Sequence, residues 1–322
     1  MNTGFTTINN AFGRVFQPDT LTFGLCVPIE SYPDSPVPTM DRFVDRVQLA
    51  EACGFTSIWL RDVPFNVPSF GDAGQLYDPF VSLGLLAGAT QQIALGVASI
   101  ILPLRHPAHV AKAAASVDVL SGGRLLLGVA SGDRPEEFPA LNMGFEDRGE
   151  RFRESFAYIR HMTEEYPAFR NGHGTLTQRA DMLPKPVGNR IPMLITGGSQ
   201  QSPEWVAANG DGWMTYPRTV DAQTRLISEY RGRVTESRTA DHDDHSKPVM
   251  QSLYIDLVDD PNAEPRPIHL GFRSGINYLR MYLQGLRTAG VNHVALNLRF
   301  NQADIEDTVK RLGDELLPDF KN

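Results

Sequence analysis

Two short segments of this chain carry residue types suited to holding an anionic ligand close to the backbone. The first is Ile195-Thr196-Gly197-Gly198-Ser199-Gln200-Gln201-Ser202-Pro203-Glu204-Trp205. It reads as a strand that ends in a glycine pair and enters a helix, with Ser202 suited to the N-cap, Pro203 to the first helical position and Glu204 to the first turn. Free backbone N–H groups there, beside the Ser199 and Ser202 hydroxyls, could hold a phosphate; a serine-capped turn with no ligand accounts for the same residues. The second segment is 93–133, in which two apolar strands end on small residues, Ala98-Ser99 and Ser131-Gly132-Asp133. Small side chains at strand ends leave room for a ligand. Asp62 closes another strand directly after Arg61, so Asp62 and Asp133 are both placed to orient or polarise a ligand; the alternatives are solvation or pairing with Arg61 and Arg134. Trp213 and Tyr216 are aromatic candidates for the pocket wall, with core packing as the alternative. His106, in Arg105-His106-Pro107, reads as the cap of a turn rather than as a catalytic base.

These residues need a frame that brings strand ends together. Strand signals fall at 21–27, 56–60, 93–102, 125–130, 193–196, 212–215, 249–257 and 293–298. Helix signals fall between them, at 40–52, 79–90, 107–120, 148–165, 203–209, 220–235, 276–289 and 303–316. The best-marked strands, 93–102 and 125–130, are almost continuously apolar, as strands covered on both faces are. Regular alternation favours a parallel sheet with helices outside it, and eight of each is the count of an α/β fold of the (β/α)8 TIM barrel type. A single barrel domain is expected over 21–322, preceded by an N-terminal extension, 1–20. The long stretches 61–77, 133–147 and 259–273 follow the second, fourth and seventh strands, on the face where such barrels build active sites. A further insertion, 167–191, precedes the fifth strand and can lie over the opening or at the other rim.

Composition removes several classes of function. Of the 322 residues 41% are hydrophobic, and no apolar run approaches the roughly 20 residues of a membrane helix. The start, MNTGFTTINNAF, lacks the basic residues and apolar core of a secretory signal, so a cytoplasmic location is expected. A formal charge of −8 disfavours a nucleic-acid surface. The two cysteines, Cys26 and Cys53, have no metal or redox spacing and read as reduced core thiols. No Gly-x-Gly-x-x-Gly, Walker loop, His-Glu-x-x-His or Gly-x-Ser-x-Gly pattern occurs, which leaves a Rossmann-type nicotinamide site unsupported. His242-Asp243-Asp244-His245 has metal-capable side chains, but its polar surroundings read as a solvated loop, and no metal site is expected.

In combination, LGVASIILP followed by RHP, VDVLSGGRLLLGVASGD, PMLITGGSQQSPEWVA, GDGWMTYP and AGVNHVALNL resemble the bacterial luciferase-like monooxygenase family, over about 21–298. The resemblance implies a barrel that holds a flavin at its C-terminal mouth, the ring resting on a non-proline cis peptide that falls here at Ala98-Ser99. It also implies that Gly197, Gly198, Ser199 and Ser202 form the flavin-phosphate loop, and Ser131, Gly132 and Asp133 the wall beside the ring and ribityl chain. Two positions depart from the family pattern. Ser131 stands where luciferases carry an arginine that meets the phosphate, leaving backbone amides or another arginine such as Arg218 to do so. Asp62-Val63-Pro64-Phe65 lacks the histidine that luciferases place after the acid, which argues against light emission.

The function implied is an FMN-dependent monooxygenase acting with molecular oxygen on a small organic substrate. Reduced FMN would come from a separate flavin reductase, and Asp62 and Arg61 would orient or polarise the substrate. The same family includes deazaflavin-dependent oxidoreductases that transfer hydride without oxygen, and a flavin-binding protein without turnover is a third reading. Barrels of this kind pair through outer helices, so a homodimer built on 79–90 and 107–120 is expected.

Overall fold

The computed structural model describes residues 5–188, 190–237 and 246–321. Among them eight parallel strands form a closed ring: β1 (Thr22–Cys26), β2 (Ser57–Leu60), β3 (Ala94–Ile101), β4 (Leu125–Ala130), β5 (Met193–Thr196), β6 (Gly212–Thr215), β7 (Val249–Leu257) and β8 (His293–Asn297). Each pairs with the next, and β8 returns to β1 with His293 opposite Thr22. The helices in chain order are α1 (Asn10–Val15), α2 (Phe43–Ala52), α3 (Pro79–Ala89), α4 (Pro107–Leu120), α5 (Glu137–Ala140), α6 (Arg148–His161), α7 (Pro203–Asn209), α8 (Val220–Glu236), α9 (Ile276–Ala289) and α10 (Ile305–Glu315). The fold is the TIM barrel that the alternating pattern implies.

Continuous apolar strands arise because both faces are covered. Ile58, Leu60, Leu95, Leu125 and Leu127 join the large core beneath the helices, while Trp59, Ala94, Leu126, Leu194, Met214, Met250 and Ala295 form a second cluster that fills the ring. The N-terminal segment completes this inner cluster. Asn9 caps α1 by accepting from the Phe12 N–H at 2.9 Å, and Ala11, Phe12 and Val15 are buried. Its amide also donates to Asp118 Oδ1 at 2.9 Å and to the Leu125 carbonyl at 2.8 Å, which seats the segment at the start of β4, the end of the barrel opposite the mouth.

Low in the ring, His293 is enclosed by polar neighbours from two strands, β1 and β2. Its Nε2 lies 2.9 Å from Ser57 Oγ and accepts from Trp59 Nε1 at 2.9 Å, while Nδ1 lies 2.7 Å from Thr22 Oγ1. Burial pushes the imidazole down to about 3, so it is neutral at physiological pH.

Higher up, β3 carries one residue more than β4. Val97 is opposite Leu127 but Ile100 is opposite Val129, so Ala98 and Ser99 form a bulge across from Gly128. A Cβ on Gly128 would sit 2.2 Å from the Val97 carbonyl oxygen and 2.7 Å from Met214 Sδ. The small residues of these strand ends are therefore demanded by backbone packing as well as by room for a ligand.

None of the described residues in 167–191 lines the cavity at the mouth. They begin with an antiparallel hairpin, Ala168–Asn171 with Gly174–Thr177, and continue down the outside until the Val187 N–H meets Asp118 Oδ2 at 2.8 Å, near α1. A second hairpin, Arg266–Ile268 with Gly271–Ser274, extends the sheet beyond β7 at the mouth. Among the described residues no helix is long and apolar enough to cross a membrane.

Candidate active site

The loops after β2, β4 and β7 surround a cavity of about 800 Å³ at the C-terminal end of the ring. Arg61, Asp62, Ala98, Ser99, Ser131, Gly132, Asp133, Gly197, Gly198, Ser199 and Tyr216 all line it. Ser202 and Trp213 do not.

The Ala98–Ser99 peptide is cis, and Ser99 Oγ bonds to Thr196 Oγ1 across the ring. Asp62 fastens the strand beyond it. Its Oδ2 accepts from the Ile101 N–H and from Arg105 Nε, both at 3.0 Å, and its Oδ1 accepts from Arg105 Nη2 at 2.7 Å. Arg105 also reaches Asp78, the N-cap of α3, at 2.8 Å. Asp62 thus borders the cavity while both of its oxygens tie the end of β3 to Arg105.

The loop after β5 turns through left-handed backbone at Gly197 (φ 54°), Ser199 (φ 45°) and Gln200 (φ 61°). Gln201 N–H donates to the Gly198 carbonyl at 2.8 Å, and Ser199 Oγ donates to the Thr196 carbonyl at 2.8 Å. The N–H groups of Gly198, Ser199 and Gln200 find no acceptor among the described residues. Such a turn of free amides is a nest that fits a phosphate monoester. Trp213 supports it from behind: its Nε1 donates to the Gly197 carbonyl at 2.9 Å and its ring stacks on Tyr230 at 5.0 Å.

Three residues weighed for this site are occupied elsewhere. Ser202 Oγ caps α7 by accepting from the Trp205 N–H at 3.2 Å. Ser202→Ala is therefore expected to cost about 1 kcal/mol of stability in thermal unfolding. It should leave the affinity for a phosphate-bearing ligand within about twofold in a titration, whereas a direct phosphate bond would lose about tenfold. Arg218 folds back, its Nη1 donating to Thr215 Oγ1 at 2.7 Å and the Tyr216 carbonyl at 2.8 Å. His106 Nδ1 accepts from the Ala108 N–H at 3.2 Å as the N-cap of α4, away from the cavity. Cys26 does border the cavity, but burial pushes its thiol up to about 12, so it presents no thiolate. His242 to His245 lie outside the described residues, among which no group of His, Cys, Asp or Glu is arranged to hold a metal ion.

On the far side of the ring Arg61 belongs to a charged group whose other members, Asp72 and Arg299, were not among the expected site residues. Asp72 Oδ2 accepts from Arg61 Nη1 at 2.8 Å and pairs with Arg299 Nη1 at 2.9 Å, and its Oδ1 accepts from the Gly74 N–H at 2.7 Å. Burial opposes the Asp72 charge, yet Arg61 and these bonds hold the carboxyl below the usual range. Arg299 follows β8 directly, and a cation just past a barrel strand was the available signal for it. Asp72 lies mid-loop, with no local pattern to single it out.

The family model described as luciferase-like monooxygenase matches residues 21–298, and the chain belongs to that family. An uncharacterized protein of Mycobacterium tuberculosis is 32% identical over 190 residues, 54% of this chain and 67% of the relative. The F420-dependent hydroxymycolic acid dehydrogenase of the same organism is 29% identical over 194 residues, 59% of this chain and 52% of the relative. Among solved structures, the oxygenating constituent of the 3,6-diketocamphane monooxygenase of Pseudomonas putida, a type II Baeyer-Villiger monooxygenase in complex with FMN, superimposes with a TM-score of 0.72. It is 15% identical, and the match covers 94% of this chain and 99% of that one.

Proposed function

We propose that this chain is a flavin-dependent monooxygenase that uses reduced FMN and molecular oxygen on a small organic substrate. The observation that carries this reading is the meeting, in one cavity, of the Ala98–Ser99 strand end with the amide nest at Gly198 to Gln200. The nest would hold the phosphate; Ala98, Ser99, Ser131 and Gly132 would leave room for the ring system; Asp133 and Tyr216 would stand beside it. Asp62 would keep β3 in place beside the ring system. A bound flavin supplies two-electron chemistry, toward oxygen with FMN or as hydride transfer with a deazaflavin.

The FMN complex of the diketocamphane monooxygenase supports the first choice, and the F420-dependent dehydrogenase of M. tuberculosis supports a deazaflavin coenzyme as the second. The reading includes delivery of reduced FMN by a separate reductase in the cytoplasm. It also includes pairing of two copies through α3 and α4, where Val81, Leu85 and Leu120 expose apolar surface.

The test is a fluorescence-quenching titration of the purified chain with FMN and with the deazaflavin coenzyme, followed by oxygen uptake in the presence of a flavin reductase and candidate substrates. FMN is expected to bind at least about tenfold more tightly, with substrate-dependent oxygen uptake; a tenfold ratio is about 1.4 kcal/mol. Selective deazaflavin binding would overturn the choice of cofactor. FMN binding with no oxygen uptake above that of free flavin, under all substrates, would leave a flavin-binding protein without turnover.

A further inference from the structure

We propose that the part of the cavity between β2 and β8 receives a carboxylate carried by the substrate, with Arg61 and Arg299 as its partners. This rests on the reading of the same cavity as a flavin site and narrows the substrate class.

Two guanidinium groups, Arg61 and Arg299, meet the Asp72 carboxylate there, and a third, Arg134, meets the main-chain carbonyl of the same residue. Arg61 spends one Nη1 bond on Asp72, and its Nε and Nη2 carry no side-chain partner among the described residues. Arg299 is held by Asp72, by the Gly71 carbonyl at 3.2 Å and between the rings of Tyr32 and Phe300 at 4.9 and 5.2 Å, yet its Nε is buried without an acceptor. Arg134 lies over Phe70 at 4.3 Å and donates Nη2 to the Asp72 carbonyl at 3.2 Å, while its Nη1 is likewise buried without an acceptor. Arg134 is 4% exposed and Arg299 9%. A buried cation with an unused donor is unfavourable unless something supplies the missing acceptor.

Glu137 does not supply it. Its Oε1 stands 3.9 Å from Arg134 Nη1, too far for a hydrogen bond, and burial pushes its carboxyl up to about 7, which leaves it only partly ionised at neutral pH. Burial and the nearby Arg61 in turn depress Arg134. Asp133, which also acts on Arg134 and Glu137, adds a second carboxylate to Asp72, and the three guanidinium groups still outnumber these two.

Topology separates this excess from the phosphate nest. In a closed ring of eight, β1 lies across from β5; Arg61 follows β2 and Arg299 follows β8, so they flank β1 while the nest follows β5. A phosphate on the nest leaves the arginines for a second anion. Their planar forks match a carboxylate, which can accept two parallel bonds.

The experiment follows the absorption spectrum of the FMN-loaded protein while benzoate or the neutral isostere benzamide is added. Benzoate is expected to bind at least about tenfold more tightly, the size of one charge-assisted pair. Arg61→Gln and, separately, Arg299→Lys should each bring benzoate to within about threefold of benzamide while FMN affinity stays within about twofold. Two variants at different positions protect the test against one that fails to fold, as judged by circular dichroism. Equal binding of benzoate and benzamide to the unaltered protein would overturn the proposal, as would loss of FMN affinity in both variants, which would assign the cluster to the cofactor. If FMN does not bind but ligand-observed NMR still shows benzoate preferred over benzamide by the FMN-free protein, the flavin reading falls and the anion site stands.

Discussion

Replacing Gly128 by alanine is expected to destabilise the barrel by about 3 kcal/mol or more and to weaken FMN binding at least about tenfold. The added Cβ would lie 2.2 Å from the Val97 carbonyl oxygen, an atom of the neighbouring strand's backbone, which cannot rotate away as a side chain could. Relief requires β3 to shift at its bulge, and that shift moves the Ala98–Ser99 wall and the Ser99 link to Thr196 on β5. Stability and binding should thus fall together. Thermal unfolding and an FMN titration on the same preparation check this. A variant with unchanged melting temperature and affinity would show that the close contact between β3 and β4 is not what fixes the site.

The second large effect is acid sensitivity. The His293 imidazole ordinarily titrates near 6.5 and is pushed down to about 3 by burial in the ring. Between those values the unfolded chain binds a proton that the folded barrel excludes. The stabilising contribution is therefore complete above about 6.5 and is lost as pH falls toward 3, with a slope of about 1.4 kcal/mol per pH unit and an upper limit of about 5 kcal/mol. Urea unfolding at several pH values should show this slope in the unaltered chain and a flatter one in His293→Gln, whatever that variant's stability at neutral pH. Parallel slopes would contradict the assignment.

The barrel was legible because its strands are buried on both faces. The strand expected at 125–130 and the one at 249–257 fall where β4 and β7 lie, since the first is an apolar run after a glycine pair and the second is rich in strand-forming residues after Pro248. The two hairpins were not legible: Ala168–Asn171 and Arg266–Ile268 are short and largely exposed, so their pairing leaves no periodic mark. Helix α1 was missed for a related reason, because six residues near a chain terminus become a defined element only once Ala11, Phe12 and Val15 close the ring.

The site was half legible. Glycines and small residues mark where backbone lies open, so Ala98, Ser99, Gly132 and the Gly197–Gly198 pair, which all line the cavity, stand out by residue type alone. Charged partners declare nothing locally. Arg61 and Asp62 are adjacent, yet Arg61 bonds Asp72, 11 residues on, and Asp62 bonds Arg105, 43 residues on. Ser202 shows the same limit at short range, since a serine before Pro203 has the same appearance whether its oxygen caps a helix or holds a phosphate.

A crystal structure of the chain with FMN tests the central claim most directly. The expected result is flavin density in the cavity at the barrel mouth, its ring against Ala98 and Ser99 and its phosphate within hydrogen-bond distance of the Gly198, Ser199 and Gln200 amides. Flavin bound anywhere else, or a phosphate held by Arg61 and Arg299 in place of those amides, would contradict it.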